Sequence, residues 1–260
     1  MRFMPGVSTP ALLIAFLAFP SAARAQDPLE TETARFYKEG TGKVVDTVEF
    51  QTSKTGNEVA IPVQIEYGIT DRLELLLEPA AYTSIRPEVG PKGTDFGDVE
   101  ITLSYLISQE SSPWPAFAIA GEVKVPTAKD PLVGTMEPDY SLILIASKKI
   151  GDFDLHANLG YSFLGQPPGG NLKDSFNFAF AAVWKVNDVF DLVAEVVGSV
   201  SSATEGDTAN PVVPESAGQE GTVGLIGGRF YFRPTVVLSL GVGYDDNNAT
   251  LTRFGLTLKY

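Results

Sequence analysis

There is no cysteine in the 260 residues and only one histidine. The first absence excludes a disulfide framework and any thiolate metal site. The second obliges any histidine-dependent hydrolase or acyl transferase to use His156. Beyond the amino-terminal leader no run of 18 apolar residues occurs, so no transmembrane helix is predicted. Basic residues are few: 19 Lys and Arg stand against 32 Asp and Glu, a net charge of −13. A chain this acidic, with no basic patch, excludes nucleic acid as a partner. Cofactor motifs are missing too. Gln166-Pro167-Pro168-Gly169-Gly170 has no Lys-Ser/Thr after it to cradle a phosphate. Asp245-Asp246-Asn247-Asn248 lacks the glycine and terminal glutamate of a calcium loop and reads as a solvated turn. Neither a cofactor nor a metal is expected.

What is present begins with an export leader at residues 1–25. A basic Arg2 precedes an apolar run at 11–19, and Ala23-Arg24-Ala25 forms an A-x-A-like cleavage site before Gln26. The run is about half the ~20 residues a membrane-spanning helix needs. Loss of Arg2 and Arg24, with no acid in that segment, takes the charge from −13 to −15. An exported chain without a spanning helix can live in a membrane only as a closed barrel, because hydrocarbon leaves no partner for an open strand edge.

The dominant period is two. In NEVAIPVQIEYG, Val59, Ile61, Val63, Ile65 and Tyr67 oppose Ala60, Gln64 and Glu66. RLELLLEP, GDVEITLSYLI and FDLHANLGYSF alternate in the same way. Further strands are read at 43–52, 116–126, 140–149, 175–186, 190–200, 222–232, 235–244 and 250–260. That makes about twelve, each near the ~9–11 residues a tilted strand needs to cross a bilayer. Connections are mostly tight at one end and long at the other (85–96, 127–139, 165–174, 201–221), the asymmetry of periplasmic turns and extracellular loops. Aromatics gather near both strand ends, as interfacial girdles do. The expected architecture is an all-β, antiparallel, up-and-down transmembrane barrel over residues 43–260. Residues 26–42 are a lead-in that forms a plug, a simple approach or an extra strand. The competing architecture is a soluble β-sandwich, whose strands alternate equally well.

Three features resist this reading. Pro62 lies mid-strand and predicts a bulge or a missing ladder bond. The segments 140–149 and 222–232 alternate poorly, so their inward faces are not assigned. Gly221, Gly224, Gly227 and Gly228 predict a bend or a tight approach.

The phase turns Glu66, Glu74, Glu78, Glu100, Glu122, Asp154 and Glu195 toward the lumen, with Lys124, Lys185 and Arg253 among the cations and His156 nearby. One reading is a lumen braced by ion pairs; the other is a polar conduit whose excess carboxylates favour cations or neutral solutes over anions. Twelve strands ~4.8 Å apart and tilted ~40° enclose a backbone diameter of ~24 Å, so side chains leave a narrow pore at most. His156 sits in a row with Asp154, Asn158 and Ser162. No nucleophile stands obviously beside it, which makes it a hydrogen-bonded lumenal histidine rather than a catalytic base.

Tyr67-Gly68-Ile69-Thr70-Asp71-Arg72-Leu73-Glu74-Leu75, then Gly97-Asp98-Val99, Lys124-Val125-Pro126-Thr127 and Asn158-Leu159-Gly160-Tyr161 resemble the outer-membrane family of the MetA pathway of phenol degradation. The resemblance spans roughly Gly56 to Tyr260. It implies a transporter-like barrel of the bacterial outer membrane and uptake of hydrophobic or aromatic compounds, and it carries no agreed functional residues. The last strand adds a second resemblance. Phe254, Leu256, Leu258 and the final Tyr260 are similar to the terminal signal that barrel-assembly machinery recognises. Outer-membrane lipid, that machinery and a small solute are the partners implied. The expected function is a passive channel and not an enzyme. A structural or surface-interaction barrel is the alternative, and a lipid-modifying enzyme built on His156 a more remote one.

Overall fold

The computed structural model describes residues 27–167, 172–201 and 221–260. The leader, its cleavage point, the tip of the 165–174 loop and residues 202–220 lie outside them. Thirteen strands follow one another: β1 (Gly42–Thr52), β2 (Gly56–Thr70), β3 (Leu73–Pro87), β4 (Gly93–Asp95), β5 (Val99–Ser108), β6 (Ala116–Val125), β7 (Asp139–Ile150), β8 (Phe153–Phe163), β9 (Ser175–Lys185), β10 (Phe190–Ser201), β11 (Gly221–Arg233), β12 (Val236–Asp245) and β13 (Thr250–Lys259).

Twelve of them form a closed antiparallel barrel in which each pairs with its chain neighbours. β13 returns to β1 in unbroken register from Lys43↔Lys259 to Thr52↔Thr250. Beyond the last strand, Gly42 and Tyr260 exchange both backbone hydrogen bonds at 3.0 Å. Closure removes both sheet edges, which is the requirement for a sheet in hydrocarbon.

β4 departs from the sequence expectation of a plain loop at 85–96. β5 pairs with β3 only from Leu73 to Pro79. The far end of β3 is therefore left with an open edge, and β4 takes it at Thr83, Ser84 and Ile85. Pro62 behaves as expected. The β2–β3 register shifts between Ile61 and Pro62, so the residue that cannot donate a ladder bond lies at an irregularity.

Along β8, Phe153, Leu155, Leu159, Tyr161 and Phe163 are exposed while Asp154, His156, Asn158 and Ser162 are buried. The same inversion recurs in Leu142 and Leu144 of β7, Leu238, Leu240 and Val242 of β12, and Phe254 of β13, all exposed. A soluble sandwich buries its apolar face and wets the other. Here the greasy face is outside and the polar face inside, the pattern of a barrel wall against lipid. The alternation lapses in β7 and β11 for a reason that lies within the lumen.

Candidate solute lumen and its plug

Residues 27–41 form no strand. They enter the lumen at the end where the chain termini meet, rise toward its middle and return to β1. Polar wall residues hold nearly every turn of this path, as they must, because an irregular backbone has no ladder of its own. Asp27 accepts from Lys259 Nζ at 3.1 Å and stands 3.4 Å from Arg229 and 3.9 Å from Lys43. Burial works against its charge, but Lys43, Lys259 and Arg229 together hold its carboxyl well below the usual carboxylate range. Arg229 also donates to the Asp27 carbonyl at 2.5 Å.

Further in, the Glu195 carboxylate accepts the backbone N–H groups of Leu29, Glu30 and Thr31 and the Thr31 hydroxyl, the last three at 2.9–3.1 Å. Glu30 pairs with Arg253, which also holds Glu49 at 2.9 Å. Ala34 donates its N–H to Ser147 Oγ at 2.8 Å. Arg35 forks onto Asp154 at 2.8 and 3.2 Å and reaches Glu110 at 2.6 Å. Tyr37 donates its N–H to Glu74 at 2.7 Å, and its ring lies 6.0 Å from both Lys43 Nζ and Lys259 Nζ.

The plug also explains the two strands that alternate poorly. Ala34 packs into a small core with Leu106, Ala116, Ala118, Ala120 and Ile145, flanked by Phe36 and Ile143. Both inward isoleucines of β7 therefore face the plug rather than water. On β11 the inward Leu225 is buried, and a Cβ on Gly227 would stand 2.7 Å from Leu29 Cδ1 and 2.5 Å from the Leu240 carbonyl. A tight approach is the reason for that glycine; the β10–β11 register runs unbroken past it.

The remaining lumenal residues divide by position. Glu66 pairs with Lys43 at 2.6 Å, and Glu78 accepts from Gln64 at 2.7 Å. Glu122 accepts from Thr102 at 3.2 Å and Ser141 at 3.1 Å. Lys124 pairs with Asp139 and lies 3.7 Å from Asp98. Glu100 stands opposite Glu78 on one side and Lys124 on the other. Lys185 is separate from the rest: it bridges Asp188 at 2.9 Å in the turn before β10, at the rim. His156 Nδ1 lies 2.8 Å from Ser147 Oγ, a neighbour one strand away. Sequence reading saw no nucleophile beside this histidine, because the pair is made by the β7–β8 register and not by spacing. Ser147 is 1 % exposed and lies beneath the plug.

Two volumes follow. Between the plug and the wall near Pro28, Leu29, Arg229 and Arg253 only about 30 Å³ remains. At the long-loop end the described residues leave a cavity of about 210 Å³.

Residues 33–259 match the family described as "Putative MetA-pathway of phenol degradation". Among solved structures, the COG4313 outer membrane channel from Pseudomonas putida F1 is 14% identical, with a TM-score of 0.65 over 90% of this chain and 99% of that one. The NanC porin is 11% identical (TM-score 0.59; 84% and 100% covered). The KdgM porin in complex with disordered oligogalacturonate is 10% identical (TM-score 0.57; 84% and 99% covered). No curated protein matches the chain. At these identities the structural likeness speaks for the shared barrel.

Proposed function

This chain belongs to the MetA-pathway of phenol degradation family, and we propose that it is a passive channel of the bacterial outer membrane for small solutes. The observation that carries the reading is the inverted wall: apolar outside, carboxylate- and hydroxyl-lined inside, with an open cavity at the long-loop end. The export leader and loop asymmetry orient it, with short turns and both termini toward the periplasm. Outer-membrane lipid surrounds it, and the assembly machinery engages the terminal strand through Phe254, Leu256, Leu258 and Tyr260. The lumenal carboxylates Glu66, Glu74, Glu78, Glu100, Glu122, Glu195 and Asp154, with Asp27, Asp98 and Asp139, outnumber the cations Arg35, Lys43, Lys124, Arg229, Arg253 and Lys259, so passage favours cationic and neutral solutes over anions.

Purified protein in planar bilayers and swelling liposomes tests this. Ion conductance with a cation-selective reversal potential is expected; absence of both conductance and solute flux defeats the channel reading.

A second reading, a structural or surface-interaction barrel, draws on the ion-paired plug and the 30 Å³ left beside it. Deleting residues 201–221 separates the two: loss of a binding partner with unchanged permeability favours the second. An enzymatic reading has less support. Ser147 meets Nδ1 of His156, while Asp154 is 3.9 Å from Nε2, and Ala34 caps the serine. Unchanged lipid A and phospholipid profiles in His156→Ala are expected.

A further inference from the structure

We propose that the cavity at the long-loop end is a recognition vestibule for small hydrophilic cations bearing a primary amine; this rests on the channel reading and names its solute class. The cavity holds about 210 Å³, and among the described residues Leu164 is the one apolar side chain that lines it. Its hydroxyl and amide groups are tied into one chain. Asn177 donates to Ser162 at 2.7 Å, Ser162 meets Ser141 at 2.9 Å, and Ser141 donates to Glu122 at 3.1 Å. Such a wall exchanges hydrogen bonds with a polar solute. It offers an aromatic ring no return for stripping those groups of water.

The carboxyl that marks the site is Glu100. Lys124, its cross-strand neighbour, is spent on Asp139 and Asp98. Its neighbour on the other strand is Glu78, a second carboxyl directly opposite, already bound to Gln64. Glu100 itself makes no hydrogen bond or ion pair of its own among the described residues, and it lines the cavity. A carboxylate so placed lacks a donor, and two glutamates facing across strands repel. An ammonium group in the cavity answers both. Among the described lining residues, an anion meets Glu100, Glu122 and Asp139 with Lys124 alone against them.

The experiment uses the full chain in planar bilayers in KCl, with protonated glucosamine added on the long-loop side. Glucose, glucuronate and phenol are added in parallel. Glucosamine is expected to interrupt the ion current at concentrations about tenfold below glucose, a factor that corresponds to about 1.4 kcal/mol. Glucuronate and phenol are expected to leave the current uninterrupted. Glu100→Gln is expected to abolish the preference for glucosamine over glucose. Glu100→Asp, which keeps the charge, retains it, as does Glu88→Gln on the exposed outer loop. Current without glucosamine preference, or a preference that survives Glu100→Gln, overturns the vestibule and leaves the channel reading standing. Absence of any current overturns the channel reading and the vestibule with it.

Discussion

Lys43 and Lys259 stand directly opposite each other across the seam where the last strand meets the first, and both face the carboxylate of Asp27. Two like charges in a cross-strand pair repel. The plug residue that lies between them turns that repulsion into attraction, with Glu66 assisting on Lys43 at 2.6 Å.

Asp27→Asn removes the charge of the plug that Lys259 and Arg229 share. Breaking a buried ion pair from one side costs about 3 kcal/mol or more, because the partner stays buried. A lower urea midpoint in detergent micelles and a larger single-channel conductance are expected. Unchanged values for both would mean the plug is not held by this carboxylate.

Leu29 and Gly241 test the upper part of the plug. A Cβ at Gly241 would lie 2.8 Å from Leu29 Cδ1 and otherwise meet only Ile226 O at an ordinary 3.9 Å. Gly241→Ala is expected to destabilise the protein by about 1 kcal/mol through overpacking. Leu29→Ala in the same chain is expected to recover most of that loss. Unfolding midpoints of the four-member cycle give the coupling, and additive effects would place Leu29 elsewhere.

Glu110 ties the plug to the turn between β5 and β6. Burial opposes its charge, but hydrogen bonds from Arg35, Lys148 and the Lys149 backbone outweigh it and lower its pKa from 4.5 to about 2. A carboxyl with a depressed folded pKa contributes stability above its unfolded value and loses it as pH falls toward the folded one. Tethering through Arg35 is therefore complete above about pH 5 and fades from there down to about pH 2. Conductance is expected to rise over that window, and Glu110→Gln to show the raised conductance at neutral pH. A conductance flat between pH 6 and 3 in the parent protein contradicts this tether.

Tyr260 completes closure by exchanging backbone bonds with Gly42. Its deletion is expected to impair assembly more than removal of any loop segment of similar size. The fraction of heat-modifiable, folded protein in outer membranes measures it, and a normal fraction would set the terminal signal aside.

How much of this was legible in the sequence depends on what each residue faces. Strands such as β8 announced themselves because one side meets lipid and the other water, so Phe153 and Asp154 differ in kind. Pro62 likewise forecast its own irregularity. β7 was opaque because Ile143 and Ile145 turn inward onto the plug, and β11 because Leu225 is buried and Gly227 lies against Leu29, so the inner faces of both strands are apolar there. Asp27, Arg35, Lys43 and Arg229 escaped notice for a related reason. Three of them face groups more than 75 positions away or belong to a segment with no period, and spacing carries no trace of such partners. Ser147 beside His156 needed the strand register, which only the folded barrel supplies.

The cations that receive Asp27 come from β1, β11 and β13. Two of these strands are the first and last of the barrel, and Lys43 and Lys259 on them are 216 positions apart in the chain. Of all the strand pairings in the barrel, this one closes the longest stretch of chain and so carries the largest loop-closure entropy cost. The set of cations that receives the start of the plug is therefore incomplete while the seam is open. A docked Asp27 is therefore the chemical record that the barrel has closed.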